Sequence, residues 1–220
     1  MSDESLPASI GNVALFHERK LALLCSRACP GSIIVKTLDV VRALRDTSWT
    51  IVGGFQSPTE QECLEIVLRG ERPVIVCPAR CVEGMRVPSS WKPHIGAGRM
   101  LIVAPFDSKA RRATAALAEE RNRYVISLAD AVFIPHAAPG GTLDRLYREQ
   151  RAGKKPLWTI DDRANAHLIS LGAIPLPSDS EALLQVLTAE CHSCNDWLSP
   201  PRSCPTGLSP NRASRAPRPC

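Results

Sequence analysis

Short, mostly apolar runs recur along the chain at residues 21–25, 49–52, 73–77, 100–104, 131–135 and 156–160, with a shorter one at 173–176. These runs are apolar on both faces, the pattern of a parallel sheet covered on two sides, whereas a strand with one wet face alternates. The segments between them have helical spacing. In residues 33–45, Ile34, Leu38, Val41 and Leu44 fall on one face. Ser57-Pro58-Thr59-Glu60 is a capping box with proline at the first helical position, opening a helix that runs through Leu68 and stops at Gly70. Further helices are expected over 110–128, 142–151, 163–171 and 180–187, with a loop-rich stretch over 78–98. Alternation of this kind predicts an α/β chain: a Rossmann-like, doubly wound and mainly parallel sheet in a single domain spanning residues 21–190. Residues 1–20 read as a leader with a short helix around 10–18. Residues 191–220, rich in Pro, Ser and Arg without apolar periodicity, read as a disordered tail.

At 220 residues the chain is long enough to bury a full core. No apolar run approaches the roughly 18 residues of a membrane span. The opening MSDESLPAS is too polar and acidic for a secretory signal. The expected location is therefore the cytoplasm, with no membrane association. Nine cysteines are present, an odd number that argues against a disulfide framework. Cys25, Cys29, Cys63, Cys77 and Cys81 lie in or beside apolar segments, where a thiol packs as a small hydrophobe. In the tail, Cys191-x-x-Cys194 with Cys204 and Cys220 lacks the second CxxC of a zinc site, and no metal is expected. Of the net charge of +5, the tail supplies +3 through Arg202, Arg212, Arg215 and Arg218 against Asp196. The body is only mildly basic, so polyanion binding must come from local clusters.

Ligands of open parallel sheets bind outside the carboxyl ends of the strands. Two turns there share one design. Gly53-Gly54 is followed by Ser57 at a helix start, and Gly140-Gly141 by Thr142 at another. Glycine turns expose amides, and a helix N-terminus adds partial positive charge, so both are candidate phosphate cradles facing one crevice. Each also has a purely architectural reading as a tight turn with its cap. Arg121-Asn122-Arg123 is the third candidate, since arginines grip phosphates bidentately. Arg111 and Arg112 read instead as a solvated face. The five histidines have no partners at recognisable spacing, and HExxH and GxSxG are absent. Binding groups without an evident reacting group favour a binding protein over an enzyme, with no cofactor.

RNRYVISLADAVFIPHAAPGGTL, residues 121–143, resembles the signature region of the DNA-processing protein A (DprA, or Smf) family. LALLCSRACPG resembles that family's first strand, and IVGGFQSPTEQECL its second-strand turn, although the family's Arg-Gly-Ile/Val-Asp is here Phe55-Gln56-Ser57-Pro58. The resemblance covers residues 21–160. It implies a Rossmann-type fold that binds single-stranded DNA in a pocket lined by Arg27, Gly53, Gly54, Arg121, Asn122 and Arg123. It further implies the RecA recombinase as partner and a place in DNA uptake or recombination; a homodimer is the oligomeric state considered. Pro139 to Asp144 also resembles, shortened by two residues, the PGGxGTxxE motif of the LOG phosphoribohydrolases. That keeps a nucleotide-binding or nucleotide-cleaving protein as the alternative.

Overall fold

A computed structural model describes residues 7–150 and 155–188. Its eight strands form one sheet: β1 (Ser9–Gly11), β2 (Lys20–Leu23), β3 (Thr50–Gly53), β4 (Val74–Val76), β5 (Met100–Val103), β6 (Ala131–Phe133), β7 (Leu157–Ile160) and β8 (Ile174–Leu176). They lie in the order β1-β5-β4-β3-β2-β6-β7-β8. Every pairing is parallel except that of β1 with β5. The chain builds outward from β2 in one direction as far as β5, then returns to place β6 on β2's other side. The loops leaving β2 and β6 therefore diverge, which makes the topological switch point where such sheets hold ligands.

The helices are α1 (Gly31–Leu44), α2 (Pro58–Leu68), α3 (Lys92–Gly96), α4 (Ala115–Leu128), α5 (Thr142–Gln150), α6 (Ala166–Ser170) and α7 (Ser180–Thr188). Strand alternation divides the core into two layers. Leu21 and Leu23 point into one layer with Ile33, Val41 and Leu64 of α1 and α2. Ala22 and Leu24 point into the other with Val125, Leu146 and Leu168 of α4, α5 and α6. Trp49 packs edge-on against Trp158, with ring centroids 5.8 Å apart, and its indole Nε1 donates to Leu187 O at 2.8 Å, fastening α7 to the first layer.

The expected elements are present, and three departures are informative. The stretch expected as a leader contributes to the sheet: β1 is its antiparallel edge, and a 3₁₀ turn over Val13–His17 leads into β2. Three residues of Ser-Ile-Gly hold too little pattern to read as a strand; the exposed edge of β5 supplies the ladder. The helix expected from residue 110 begins at Ala115. The Ala110 carbonyl instead accepts from Cys81 N at 2.8 Å, and Thr114 Oγ1 caps the helix by accepting from Leu117 N at 3.2 Å. Inside the loop-rich stretch, a 3₁₀ turn over Ser89–Trp91 runs directly into the short helix α3. The tail, residues 191–220, lies outside the described residues, as do the expectations placed on it.

Candidate functional site

A cavity of about 760 Å³ opens at the switch point. Its walls come from the loop after β2 (Cys25, Ser26, Arg27), the loop after β3 (Phe55, Gln56, Ser57), the start of α4, and the turn after β6 (Ala138, Thr142). The two diverging loops are tied together at their base. Ser26 N donates to His136 O at 3.0 Å, and Ser26 Oγ accepts from Ala138 N at 3.0 Å. Behind them, buried His136 meets Asn165 Oδ1 through Nδ1 at 2.8 Å, while Asn165 Nδ2 donates to Pro135 O and Ile160 O. The partner of His136 thus lies across a strand, beyond any local spacing rule.

The anion cradle expected at Gly53, Gly54 and Ser57 exists, and the chain fills it itself. The carboxylate of Glu60, 4% exposed, accepts from Cys25 N at 2.8 Å, Gln56 N at 2.9 Å and Ser57 N at 3.1 Å. Ser57 Oγ accepts from Glu60 N at 3.3 Å, completing the capping box. A phosphate at this turn would have to displace a buried carboxylate from three amides, while Ser57 still lines the cavity. Phe55 has φ of 50°, the one positive φ outside glycine among the described residues. Such a backbone costs on the order of 1 kcal/mol and is held here by the amides locked onto Glu60.

Arg121 is also satisfied internally. Its guanidinium is buried: Nη1 donates to Cys77 O at 3.0 Å, Nη2 to Gln56 Oε1 at 3.2 Å and Nε to Asn122 Oδ1 at 2.8 Å. Burial pulls its pKa down, and the nearby Glu60 charge opposes that. It lies flat over Gly54, where a Cβ would stand 1.3 Å from Nη1. A side chain at 54 would have to push the Arg121 guanidinium out of the space it occupies. Arg121 and Asn122 line the cavity, whereas Arg123 does not. Arg123 pairs on the outer face with Glu119 at 2.8 Å and Glu149 at 3.1 Å. Residues two apart on a helix face nearly opposite ways, so one helix cannot present both arginines to one ligand. The expectation that Arg123 lines the pocket is corrected accordingly.

The second glycine turn is closed as well. Gly141 N donates to Ala138 O and Gly140 N to Asp144 Oδ2, both at 2.9 Å. Asp144, 4% exposed, also pairs with Arg148 at 3.3 Å. Gly140 and Gly141 shape the turn; Thr142 is the member that reaches the cavity.

Three helix N-termini open on this cavity, and they differ in one respect. The first turn of α2 holds Glu60 and that of α5 holds Asp144, while that of α4 has no acidic residue. Ala113, Thr114 and Ala115 at that start line the cavity, and the amide of Ala115 has no intrahelical acceptor by its position. Arg27 lines the same cavity, is exposed, and has no hydrogen bond or ion pair among the described residues. Arg27 was expected from the sequence. Glu60 and the bare N-terminus of α4 were not, although the capping-box pattern names Glu60 as the group that returns to the turn.

No protein-family model and no curated protein matches this chain. Solved structures do. DNA processing protein A from Helicobacter pylori, a single-stranded DNA-binding protein, superposes with a TM-score of 0.67 at 20% identity, over 81% of this chain and 85% of that one. DprA from Streptococcus pneumoniae superposes at 0.63 with 18% identity, over 83% of this chain and 66% of that one. The fold is DprA-like. The molybdenum cofactor binding protein of Rippkaea orientalis shares the layout more distantly, with a TM-score of 0.52 at 12% identity over 77% of this chain and 94% of that one. At these identities the likeness is one of fold.

Proposed function

We propose that this chain is a DNA-processing protein of DprA type that binds single-stranded DNA, with a backbone phosphate held between Arg27 and the N-terminus of α4. One observation carries the reading: among three helix N-termini around the cavity, that of α4 has no carboxylate in its first turn, the cavity-lining Glu119 one turn further on is paired with Arg123 and Arg145, and Arg27, without a partner among the described residues, lines the same space. A helix N-terminus offers free amides and partial positive charge, and an arginine adds a bidentate grip. The DprA-like fold and the resemblance of residues 121–143 support the same ligand. On this reading Arg121, Asn122 and Glu60 hold the walls in place without taking the phosphate. The reading extends to handing the strand to RecA during uptake or recombination, with a homodimer as the working form. Stimulation of RecA filament assembly and sedimentation of the chain alone test those two extensions.

The primary test is a titration of labelled oligothymidylate at several salt concentrations. Affinity is expected to fall with salt at a slope of roughly −0.7 per phosphate neutralised. Arg27→Ala is expected to lower affinity about tenfold and flatten the slope, while Arg123→Ala changes little. The cavity volume also suits a mononucleotide-sized ligand, which keeps the nucleotide-binding reading. Tight binding of mononucleotides without oligonucleotide binding would replace the DNA reading. Release of free base on incubation would make the protein a phosphoribohydrolase.

A further inference from the structure

A second cavity, of about 460 Å³, adjoins the first. Phe55, Gln56 and Gln61 line both, so the two are chambers of one trough on either side of the loop after β3. The second chamber differs in chemistry. Leu64, Met85 and the indole of Trp91 give it apolar surface, and Arg80 and Arg86 give it charge. Trp49 and Trp158 are buried in the core, whereas Trp91 is only partly buried. Neither Arg80 nor Arg86 has a hydrogen bond or ion pair among the described residues. One carboxylate, Glu65, shares the lining, so two arginines stand against one acid.

We infer that this second chamber is a base-stacking subsite for single-stranded DNA: Trp91 stacks one base, and Arg80 and Arg86 hold the phosphates beside it as the strand passes over Phe55 from the first chamber. The inference rests on the single-stranded DNA reading of the first cavity and extends it to residues outside that cavity. A flat, partly exposed indole beside unpaired arginines matches both halves of a nucleotide, its π face and its phosphate. Stacking on an aromatic ring tolerates any base, so this subsite contributes affinity and register without sequence preference. The short 3₁₀ turn that ends in Trp91 suits the task, because the indole packs partly on the core and keeps its orientation.

The test uses the full chain and a twelve-nucleotide oligothymidylate, followed by anisotropy for affinity and by tryptophan fluorescence for contact. Wild type is expected to show quenching on binding. Made in a Trp197→Phe background, so that the other tryptophans are the buried Trp49 and Trp158, Trp91→Phe is expected to keep affinity within about threefold and to lose most of the quenching. Trp91→Ala is expected to lose about tenfold in affinity, and a strand with abasic residues should bind wild type and Trp91→Ala equally. Arg80→Ala with Arg86→Ala should flatten the salt dependence while leaving the melting temperature unchanged. Quenching that survives in Trp91→Phe, or wild-type affinity and salt slope in both the Trp91→Ala and the double arginine variants, overturns the subsite alone. An oligonucleotide that does not bind wild type overturns both the subsite and the function on which it rests.

Discussion

At the scale of single residues, the site is built by groups that neutralise one another before any ligand arrives. Glu60 occupies one amide nest and Arg121 the space above Gly54. Gly54→Ala places a methyl group inside the Arg121 guanidinium. Overpacking of this kind costs about 1–3 kcal/mol, and displacing Arg121 also frees Cys77 O and Gln56 Oε1. A fall in stability of at least about 2 kcal/mol by denaturant titration is expected; an unchanged midpoint would mean that Arg121 moves aside freely. The cysteines divide just as sharply. A hydrogen bond from Cys25 holds the Cys29 thiol below the ordinary thiol range, and the same contact together with burial pushes Cys25 far above it. Burial raises Cys63 and Cys77 to about 12. The thiolate is the reactive form, so at pH 7.5 iodoacetamide should modify Cys29 well ahead of Cys25, Cys63 and Cys77, as read by peptide mass spectrometry. Equal rates at Cys63 and Cys29 in the native protein would contradict this. The residue types at these positions are apparent from the sequence; which of them face one another is not, because Arg121 on α4 meets Gly54 and Cys77 only when that helix packs over the ends of β3 and β4.

At the scale of elements, the decisive comparison is among helix starts. The capping box of α2 is a local pattern of four residues, and it forms as its sequence implies. α4 starts five residues later than its helical pattern implies, because the long-range bond from Cys81 N to Ala110 O keeps the preceding segment out of the helix. If α4 holds the phosphate, Ala115→Glu should supply the missing first-turn carboxylate. The helix should then gain roughly 0.5 kcal/mol, while oligonucleotide affinity drops about tenfold. Thermal melts and anisotropy measure the two effects separately. Unchanged affinity would place the phosphate elsewhere on the cavity wall. Arg123 makes the complementary point: helical geometry turns it outward toward Glu119 and Glu149, so a motif read as one unit is divided between two faces.

At the scale of the whole molecule, the sheet is closed on one side by β1. Gly11 has φ of 108°, and a Cβ there would stand 2.2 Å from Met100 O. Gly11→Val should therefore detach β1, lower the melting temperature by several degrees and bare the edge of β5. An exposed strand edge pairs with other chains, so light scattering should rise on mild heating. A variant that melts as wild type and stays monodisperse would show β1 to be dispensable. What the sequence determined by itself is the alternation of elements and hence the doubly wound sheet: buried strands and amphipathic helices differ in hydrophobic period, and period is local. It also placed candidate groups at the carboxyl ends of the strands, since the strand direction follows from the crossovers. Only the tertiary structure decided which of those groups remain free for a ligand. Charge compensation acts through space, between residues as distant as Glu60 and Cys25 or Arg121 and Cys77. Among the described residues it leaves Arg27, Arg80 and Arg86 without an ion pair or hydrogen bond along one trough, a property no stretch of sequence contains.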